Sequence, residues 1–250
     1  MDSFSAIMAN TILGNPKNAA VIEMTLKGPK LRFNSATSIC ISGAHMPPEL
    51  NGIPRELNRV IPVAKGDVLS FGRLQNGVRT YLAVKNGIKS EQVMSSRSMY
   101  RNVTTYFRFQ KNDIMDIDQT QHVHSTHASV KISTKHLESL HLEVYKGPEF
   151  DQLSNDQQKH LGSSEFTVAK ENNRMAYQLE QTLENDLSPI ITSLVLPGTV
   201  QLTPSGKLIV LMRDCQTTGG YPRILQLNER AINILSQKFT GDKIDFKVLN

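Results

Sequence analysis

The chain has 250 residues, of which 39% are hydrophobic and 20% charged, values typical of a globular protein with one large domain or two small ones. Its 28 basic and 23 acidic side chains give a net charge of +5. Because the basic residues are scattered, we expect no nucleic-acid-binding face. No apolar run is long enough to cross a bilayer, and the N-terminus lacks a signal-peptide pattern, so we expect no membrane partner. The two distant cysteines, Cys40 and Cys215, indicate reduced thiols and a cytoplasmic protein.

The first predicted element is a helix over residues 2–13. Asp2 or Ser3 can cap it. Its apolar residues at helical spacing predict a single apolar face: Phe4, Ile7, Met8 and Ile12.

Short β-rich segments dominate the rest of the N-terminal half, over residues 38–41, 60–63, 68–71 and 79–84. Three Asn-Gly pairs predict tight turns between strands, because both residue types tolerate positive φ: residues 51–52, 76–77 and 86–87. Short strands with frequent turns favour an antiparallel barrel or sandwich.

The C-terminal half contains fewer helices than strands. A helix is predicted over residues 229–239, capped by Asn228, and a short one over 151–161. Residues 208–212 read as a buried strand, and residues 203–206 as the turn before it. The Gly206-Lys207 pair lacks the rest of a phosphate-binding P-loop. We predict an N-terminal β lobe over residues 1–118 and a C-terminal β lobe over 119–250, or one continuous domain.

Five of the seven histidines lie between His122 and His141. On a strand, His122 and His124 would share a face as two metal ligands do, but His127 breaks that period. A polar surface strand explains so loose a spacing, and we predict no metal site.

Residues 214–223 form the most unusual segment, because ten polar, small or conformationally special residues follow a buried strand. Gly219 and Gly220 permit positive φ and close approach of a ligand to the backbone. Arg223 can grip a carboxylate, and Asp214 can orient that arginine or act on a proton. We expect these groups to converge on one solvent-reachable cavity. The alternative is a tight turn whose polar groups satisfy one another.

The string from Gln216 to Arg223 resembles the C-terminal signature of the family that contains the C subunit of 5-oxoprolinase. The family is also described as allophanate hydrolase subunit 2 or as biotin-dependent carboxyltransferase-like. Six further stretches resemble family motifs in the expected order: residues 10–15, 19–26, 28–33, 95–98, 147–151 and 173–177. The resemblance implies a mainly β protein, a cyclophilin-like antiparallel β-barrel with a few short helices.

The resemblance also implies a function. The chain would be one component of an ATP-dependent 5-oxoprolinase, a hydrolase that opens 5-oxo-L-proline to L-glutamate together with homologues of the A and B subunits. It would be inactive alone, with ATP and its Mg²⁺ bound mostly elsewhere in the complex. One alternative is a carboxyltransferase that uses biotin and acts on urea or another amide. Another is a non-catalytic regulatory partner of the kinase-inhibitor-like homologue of the B subunit.

The implied site has a catalytic residue, Asp214, and an anchor for the substrate carboxylate, Arg223. Backbone N–H groups of Gly219 and Gly220 would stabilise developing negative charge. The other residues expected to bind a small amide or lactam are Gln216, Thr217, Thr218, Tyr221, Ser96, Arg97 and Arg174.

The sequence departs from the family pattern in three places. Residues 88–146 contain no glycine, and Asn112 is expected to take positive φ where relatives use glycine. Asn173 stands where relatives have aspartate, and we expect it to orient Arg174. Relatives carry a strand and a loop before the first helix, whereas this sequence begins at Met1, within what resembles the end of that loop. Either the start has been clipped or assigned late, or the protein lacks one edge of the fold, which would expose a neighbouring strand.

Overall fold

The computed structural model describes residues 1–120 and 133–249. The chain divides into two compact units, one spanning residues 3–133 (the N-terminal unit) and the other spanning residues 1–2 with 134–250 (the barrel unit). The division into separate lobes over residues 1–118 and 119–250 stays a prediction. The histidine pattern of His122, His124 and His127 lies outside the described residues. No helix in the described ranges is both long enough and apolar enough to cross a membrane.

The N-terminal unit consists of one helix and two four-stranded sheets. Its elements are α1 (Ser3–Ile12), β1 (Ile22–Thr25), β2 (Leu31–Arg32), β3 (Thr37–His45), β4 (Pro48–Leu50), β5 (Ile53–Pro54), β6 (Ile61–Val63), β7 (Val68–Phe71) and β8 (Asn76–Val84). The sheets have the strand orders β1-β8-β3-β6 and β2-β7-β4-β5. Apolar side chains of both sheets form a core that includes Ile39, Ile41, Leu69 and Leu82. A smaller cluster joins the helix to the first sheet: Ala9, Leu13, Cys40 and Ala83.

The predicted first helix is confirmed, but its buried face is not the predicted apolar one. Ser5, Ala9 and Asn10 are its fully buried residues, while Phe4 is 40% exposed. Small residues let the helix lie close to β3: a Cβ on Gly43 would be 3.4 Å from the Cβ of Ser5. Close backbone approach, rather than burial of large side chains, therefore fixes this helix.

Two of the three Asn-Gly turns are confirmed. Asn51 has φ 55° between β4 and β5, and Asn86 has φ 65° directly after β8. The turn predicted at Asn76 is wrong, because this residue begins β8. Gly77, with φ 75°, lies where the register between β3 and β8 shifts, so the pair forms a bulge. Asn112 has φ 72°, as expected for a replacement of glycine.

The barrel unit is built around a closed seven-stranded β-barrel. Its elements are α2 (Lys135–Glu138), β9 (His141–Lys146), a 3₁₀ turn (Phe150–Gln152), α3 (Asn155–Ser163), β10 (Glu165–Asn172), β11 (Ala176–Thr182), β12 (Ser193–Leu194), β13 (Thr199–Leu202), β14 (Lys207–Leu211), β15 (Thr218–Gly219), β16 (Arg223–Leu227), α4 (Glu229–Leu235) and β17 (Lys243–Val248). The barrel order is β10-β11-β14-β13-β16-β9-β17, and only the β9–β17 pair is parallel. β12 and β15 form a separate two-stranded sheet. The mainly β, antiparallel barrel prediction is confirmed.

A capping residue precedes α3 and α4, and the short helix predicted over 151–161 begins later, at Asn155, after a 3₁₀ turn. Asn228 Oδ1 accepts a hydrogen bond from Ala231 N (2.8 Å), and Ser154 caps α3 reciprocally with Gln157. The helix predicted over 229–239 ends earlier, at Leu235. Phe239 lies beyond the helix and is 42% exposed, so it does not extend the predicted apolar stripe.

Candidate functional site

The segment 214–223 runs along the barrel instead of forming a single corner. Val200 pairs with Val210, so β14 ends beside the start of β13, three residues before Asp214. Gln201 pairs with Arg223, and Leu202 N donates to Pro222 O (3.0 Å), so β16 begins beside the end of β13. Asp214 therefore follows a strand that ends beside the start of β13, whereas Arg223 begins a strand beside the end of β13.

Asp214 holds Arg174, which lies in the turn between β10 and β11. Arg174 Nε is 2.7 Å from Asp214 Oδ2, and Arg174 Nη2 is 3.2 Å from Asp214 Oδ1. The Arg174 side chain is 45% exposed and that of Asp214 is 19% exposed. The expectation that Asp214 orients Arg223 is wrong, since its carboxylate faces the other arginine. This pair presents an oriented guanidinium to solvent.

Asn173 shapes the same turn through the backbone. Its Oδ1 accepts hydrogen bonds from Met175 N (2.7 Å) and Ala176 N (3.2 Å). The expectation that Asn173 orients Arg174 is therefore wrong, because Asp214 takes that part. An amide is sufficient here, since the turn needs an acceptor for two N–H groups and no charge.

Arg223 is bound by Glu149, which the sequence reasoning missed. Arg223 Nη2 donates to Oε1 (2.8 Å), and both Nε (3.0 Å) and the backbone N (2.8 Å) donate to Oε2. The hydrogen bonds from Arg223 hold the pKa of Glu149 below its ordinary value, and Glu149 raises the pKa of Arg223. A largely buried arginine needs a carboxylate partner. This rule predicts that Arg223 has such a partner, but it does not identify Glu149.

The third guanidinium nitrogen of Arg223 is also bound. Nη1 donates to the carbonyl of Leu194 (3.0 Å), a residue of β12. The two side chains are only 18% (Arg223) and 11% (Glu149) exposed. This arginine thus ties the loop after β9 to β12, and its role as an anchor for a substrate carboxylate stays a prediction.

The glycine doublet is required for close packing and not for backbone freedom. Neither Gly219 nor Gly220 has positive φ, so that expectation is wrong. A Cβ on Gly219 would lie 2.5 Å from Gln201 Nε2 and 3.2 Å from Val195 Cγ1, whereas a Cβ on Gly220 would lie 3.3 Å from Ile190 O. Gly219 therefore leaves room for the side-chain amide of Gln201, a residue of β13.

Residues 190–197 and 215–221, which we call the flap, pair through β12 and β15. Val195 N donates to Thr217 O (3.1 Å), and Ile190 N donates to Gly220 O (3.0 Å). Its exposed polar residues include the four expected to line a pocket: Gln216, Thr217, Thr218 and Tyr221. The two clefts that the structure describes lie elsewhere in the chain, so the shared cavity stays a prediction. The flap also exposes large apolar side chains: Ile191, Leu194 and Leu196.

Cys215 lies at the start of the flap and is half-buried. Burial raises the pKa of its thiol, and the neighbouring Asp214 raises it further. A nucleophilic cysteine needs the opposite, a lowered pKa, so this environment does not activate Cys215.

Ser96 and Arg97 belong to the N-terminal unit and hold their own loop together. Arg97 O accepts from Ser90 Oγ (2.8 Å), and Arg97 Nη1 donates to Ser90 O. Ser96 Oγ accepts from Ser98 N (3.2 Å). Their expected contact with substrate stays a prediction. Within residues 1–120 and 133–249, no group of three or more His, Cys, Asp or Glu side chains could hold a metal ion.

The sequence family was determined by comparison with known proteins. The family model described as "Carboxyltransferase domain, subdomain A and B" matches residues 1–248. The chain belongs to this family. It is 29% identical to the C subunit of 5-oxoprolinase from Haemophilus influenzae, over 100% of this chain and 82% of that protein. It is 31% identical to the C subunit of 5-oxoprolinase from Escherichia coli, over 96% of this chain and 78% of that protein.

The chain is also similar to parts of larger proteins. The urea amidolyase of Lachancea kluyveri is 44% identical over 100 residues, which are 40% of this chain and 6% of that protein. The crystal structure of TTHA0988 in space group P212121 superposes with a TM-score of 0.83 at 25% identity, over 98% of this chain and 48% of that one. This chain therefore spans about half the length of the TTHA0988 chain. The K. lactis urea amidolyase shares the fold, with a TM-score of 0.83 at 24% identity over 100% of this chain and 17% of that one.

Proposed function

We propose that the chain is one component of an ATP-dependent 5-oxoprolinase, a hydrolase that converts 5-oxo-L-proline to L-glutamate. The observation that carries this proposal is its similarity to two proteins named as the C subunit of 5-oxoprolinase, over 82% and 78% of their lengths. The name of these relatives implies further subunits, and we propose homologues of the A and B subunits as partners in the cytoplasm.

The reaction has to activate a stable lactam. In the proposed route the lactam carbonyl oxygen attacks the γ-phosphorus of ATP, and ADP leaves. Water then adds to the activated carbon, and the ring C–N bond breaks with a proton delivered to nitrogen, which leaves γ-glutamyl phosphate. A second water hydrolyses this acyl phosphate to L-glutamate and phosphate. Such a site needs hydrogen-bond donors that stabilise the developing negative charge and a cationic side chain that binds the substrate carboxylate.

Of the expected arginines in the barrel unit, Arg174 fits the cation better than Arg223. Its side chain is 45% exposed and Asp214 orients it, whereas the side chain of Arg223 is only 18% exposed. We propose Arg174 as the carboxylate anchor and Asp214 as the residue that orients it or moves a proton. Arg223 then positions the flap, whose Gly219 and Gly220 amides and exposed side chains offer the donors.

ATP and Mg²⁺ are proposed to bind mostly to the other subunits, which makes this chain inactive alone. The Gly206-Lys207 pair forms a turn between β13 and β14: Gly206 has φ 80°, and Lys207 N donates to Thr203 Oγ1 (2.9 Å). This turn does not fit a phosphate-binding loop, whose successive N–H groups face the ligand.

A biotin-dependent carboxyltransferase acting on urea or another amide is the second candidate. The 44% identity to urea amidolyase over 100 residues favours it, together with the name of the family. It requires a biotin-bearing carrier as partner, where the first candidate requires ATP and no carrier.

The test is reconstitution. The chain is purified with its A-subunit and B-subunit homologues, and glutamate release from 5-oxoproline is measured with and without ATP. ATP-dependent release that needs all three proteins supports the proposal. Carboxylation of urea by a biotinylated carrier, with no glutamate release, supports the second candidate. A stable complex without either reaction indicates the regulatory role and contradicts both.

A further inference from the structure

An open cleft lies in the N-terminal unit, in residues to which the proposed function gives no role. Its volume is about 550 Å³, and its lining includes Leu26, Lys27, Gly28, Phe71, Arg73 and Leu74. This volume lies within the range of small-molecule sites. The cleft is formed where the chain leaves β1 and where it leaves β7.

The rim of the cleft contains a strained turn. Leu26 has φ 61°, a left-handed conformation that a leucine seldom adopts. Lys27 N donates to Thr25 O (2.7 Å), so residues 25–27 form a tight γ-turn, while Leu26 N is held by Val78 O (2.9 Å). Backbone strain of this kind is concentrated at ligand-binding and active sites.

The apolar wall of the cleft is set by an approach of backbone to an aromatic ring. A Cβ on Gly28 would lie 2.4 Å from the Phe71 ring, so only glycine fits there without displacing the ring. Phe71 remains half-buried, and Leu26 is 38% exposed. A ligand would therefore meet an aromatic side chain beside an exposed leucine.

The charged side chains described as lining the cleft are both basic. Lys27 and Arg73 are both exposed, and the residues described as lining the cleft include no carboxylate. Two cations beside an apolar wall are complementary to an anionic group on an apolar body. We propose that this cleft binds a small organic anion, independently of the reaction assigned to the barrel unit.

The proposal is tested by fluorine NMR of para-fluorobenzoate titrated with the full chain. The neutral isostere para-fluorobenzamide and the more highly charged para-fluorophenyl phosphate are compared at low and high salt. We expect both anions to bind and the amide to bind at least about fivefold more weakly, with the difference reduced by salt. Equal binding of amide and anion, or no binding of either anion, overturns the proposal.

Single-residue variants test whether the anion binds in this cleft. Lys27→Gln and Arg73→Gln should each weaken anion binding about two- to fivefold, because each removes one exposed charge contact. Lys30→Gln removes another exposed cation, one outside the lining, and should have no effect. Equal losses in all three variants indicate nonspecific attraction by net charge and contradict the site.

Discussion

Arg223 and Glu149 form a paired contact in which the carboxylate accepts three hydrogen bonds from a single residue. Both side chains are largely buried, so an unpaired partner would be costly. We expect Glu149→Gln to lower the free energy of unfolding by about 2 kcal/mol at pH 7, measured by urea denaturation. An exposed pair serves as control: Lys146 and Asp151, where Asp151→Asn should cost less than about 0.5 kcal/mol.

The same pair predicts a pH dependence. The folded state lowers the pKa of Glu149, so its stabilising effect is present above the ordinary glutamate value of about 4.3 and is lost as pH falls through the folded value. The stability difference between the wild type and Glu149→Gln should therefore be constant from pH 8 to 6 and shrink below about pH 4.3. A difference that grows on acidification contradicts the assigned cause.

Gly219→Ala should disturb the flap far more than Gly220→Ala. The new methyl group would overlap Gln201 Nε2 at 2.5 Å in the first case and meet Ile190 O at 3.3 Å in the second. We expect a loss of about 1–3 kcal/mol for Gly219→Ala and less than about 1 kcal/mol for Gly220→Ala. Hydrogen exchange should accelerate at residues 190–197 in the first variant, and equal exchange in both would contradict the packing role.

Arg174→Ala should raise the KM for 5-oxoproline in the reconstituted complex about 10- to 100-fold, because a charge-assisted contact to the substrate carboxylate is lost. Asp214→Asn should raise KM less, since the guanidinium remains but loses its orientation. Lys170→Ala, an 84% exposed cation on β10, is the matched control and should leave KM unchanged. An unchanged KM in Arg174→Ala removes the anchor role.

Asp2 is fully buried and accepts hydrogen bonds from Gln237 Nε2 (2.8 Å) and His136 Nε2 (3.1 Å). Asp2→Ala should destabilise the protein by about 2–3 kcal/mol, because it leaves buried polar groups without this acceptor. The control is Asp245→Asn, which alters the more exposed contact to His141 and should cost less than about 1 kcal/mol. Chemical denaturation measures both, and equal losses contradict the importance of burial.

The two thiols should differ in alkylation of the native protein. Burial raises the pKa of Cys40 to about 12, and it raises the pKa of the half-buried Cys215. At pH 8 both should react more slowly than free cysteine, with Cys215 faster than Cys40 because reagent can reach it. Mass spectrometry after timed iodoacetamide treatment gives the order, and rapid labelling of Cys40 contradicts its burial.

The local features of this protein follow from its amino-acid sequence. The Asn51-Gly52 turn, the Asn228 cap and the strand before Asp214 depend on residues adjacent in the chain, so pattern and turn chemistry were sufficient to predict them. The string from Gln216 to Arg223 also identified the family before any contact was known.

The contacts that the charged and small residues make depend instead on the tertiary structure. Arg223 pairs with Glu149, 74 positions away, and Arg174 with Asp214, 40 positions away. Strand register sets which side chains face each other, and it is fixed by packing of the whole barrel. For the same reason, the close approach of Gly219 to Gln201 could not be distinguished in the sequence from a need for positive φ: both favour glycine, and only the neighbouring strand shows which applies.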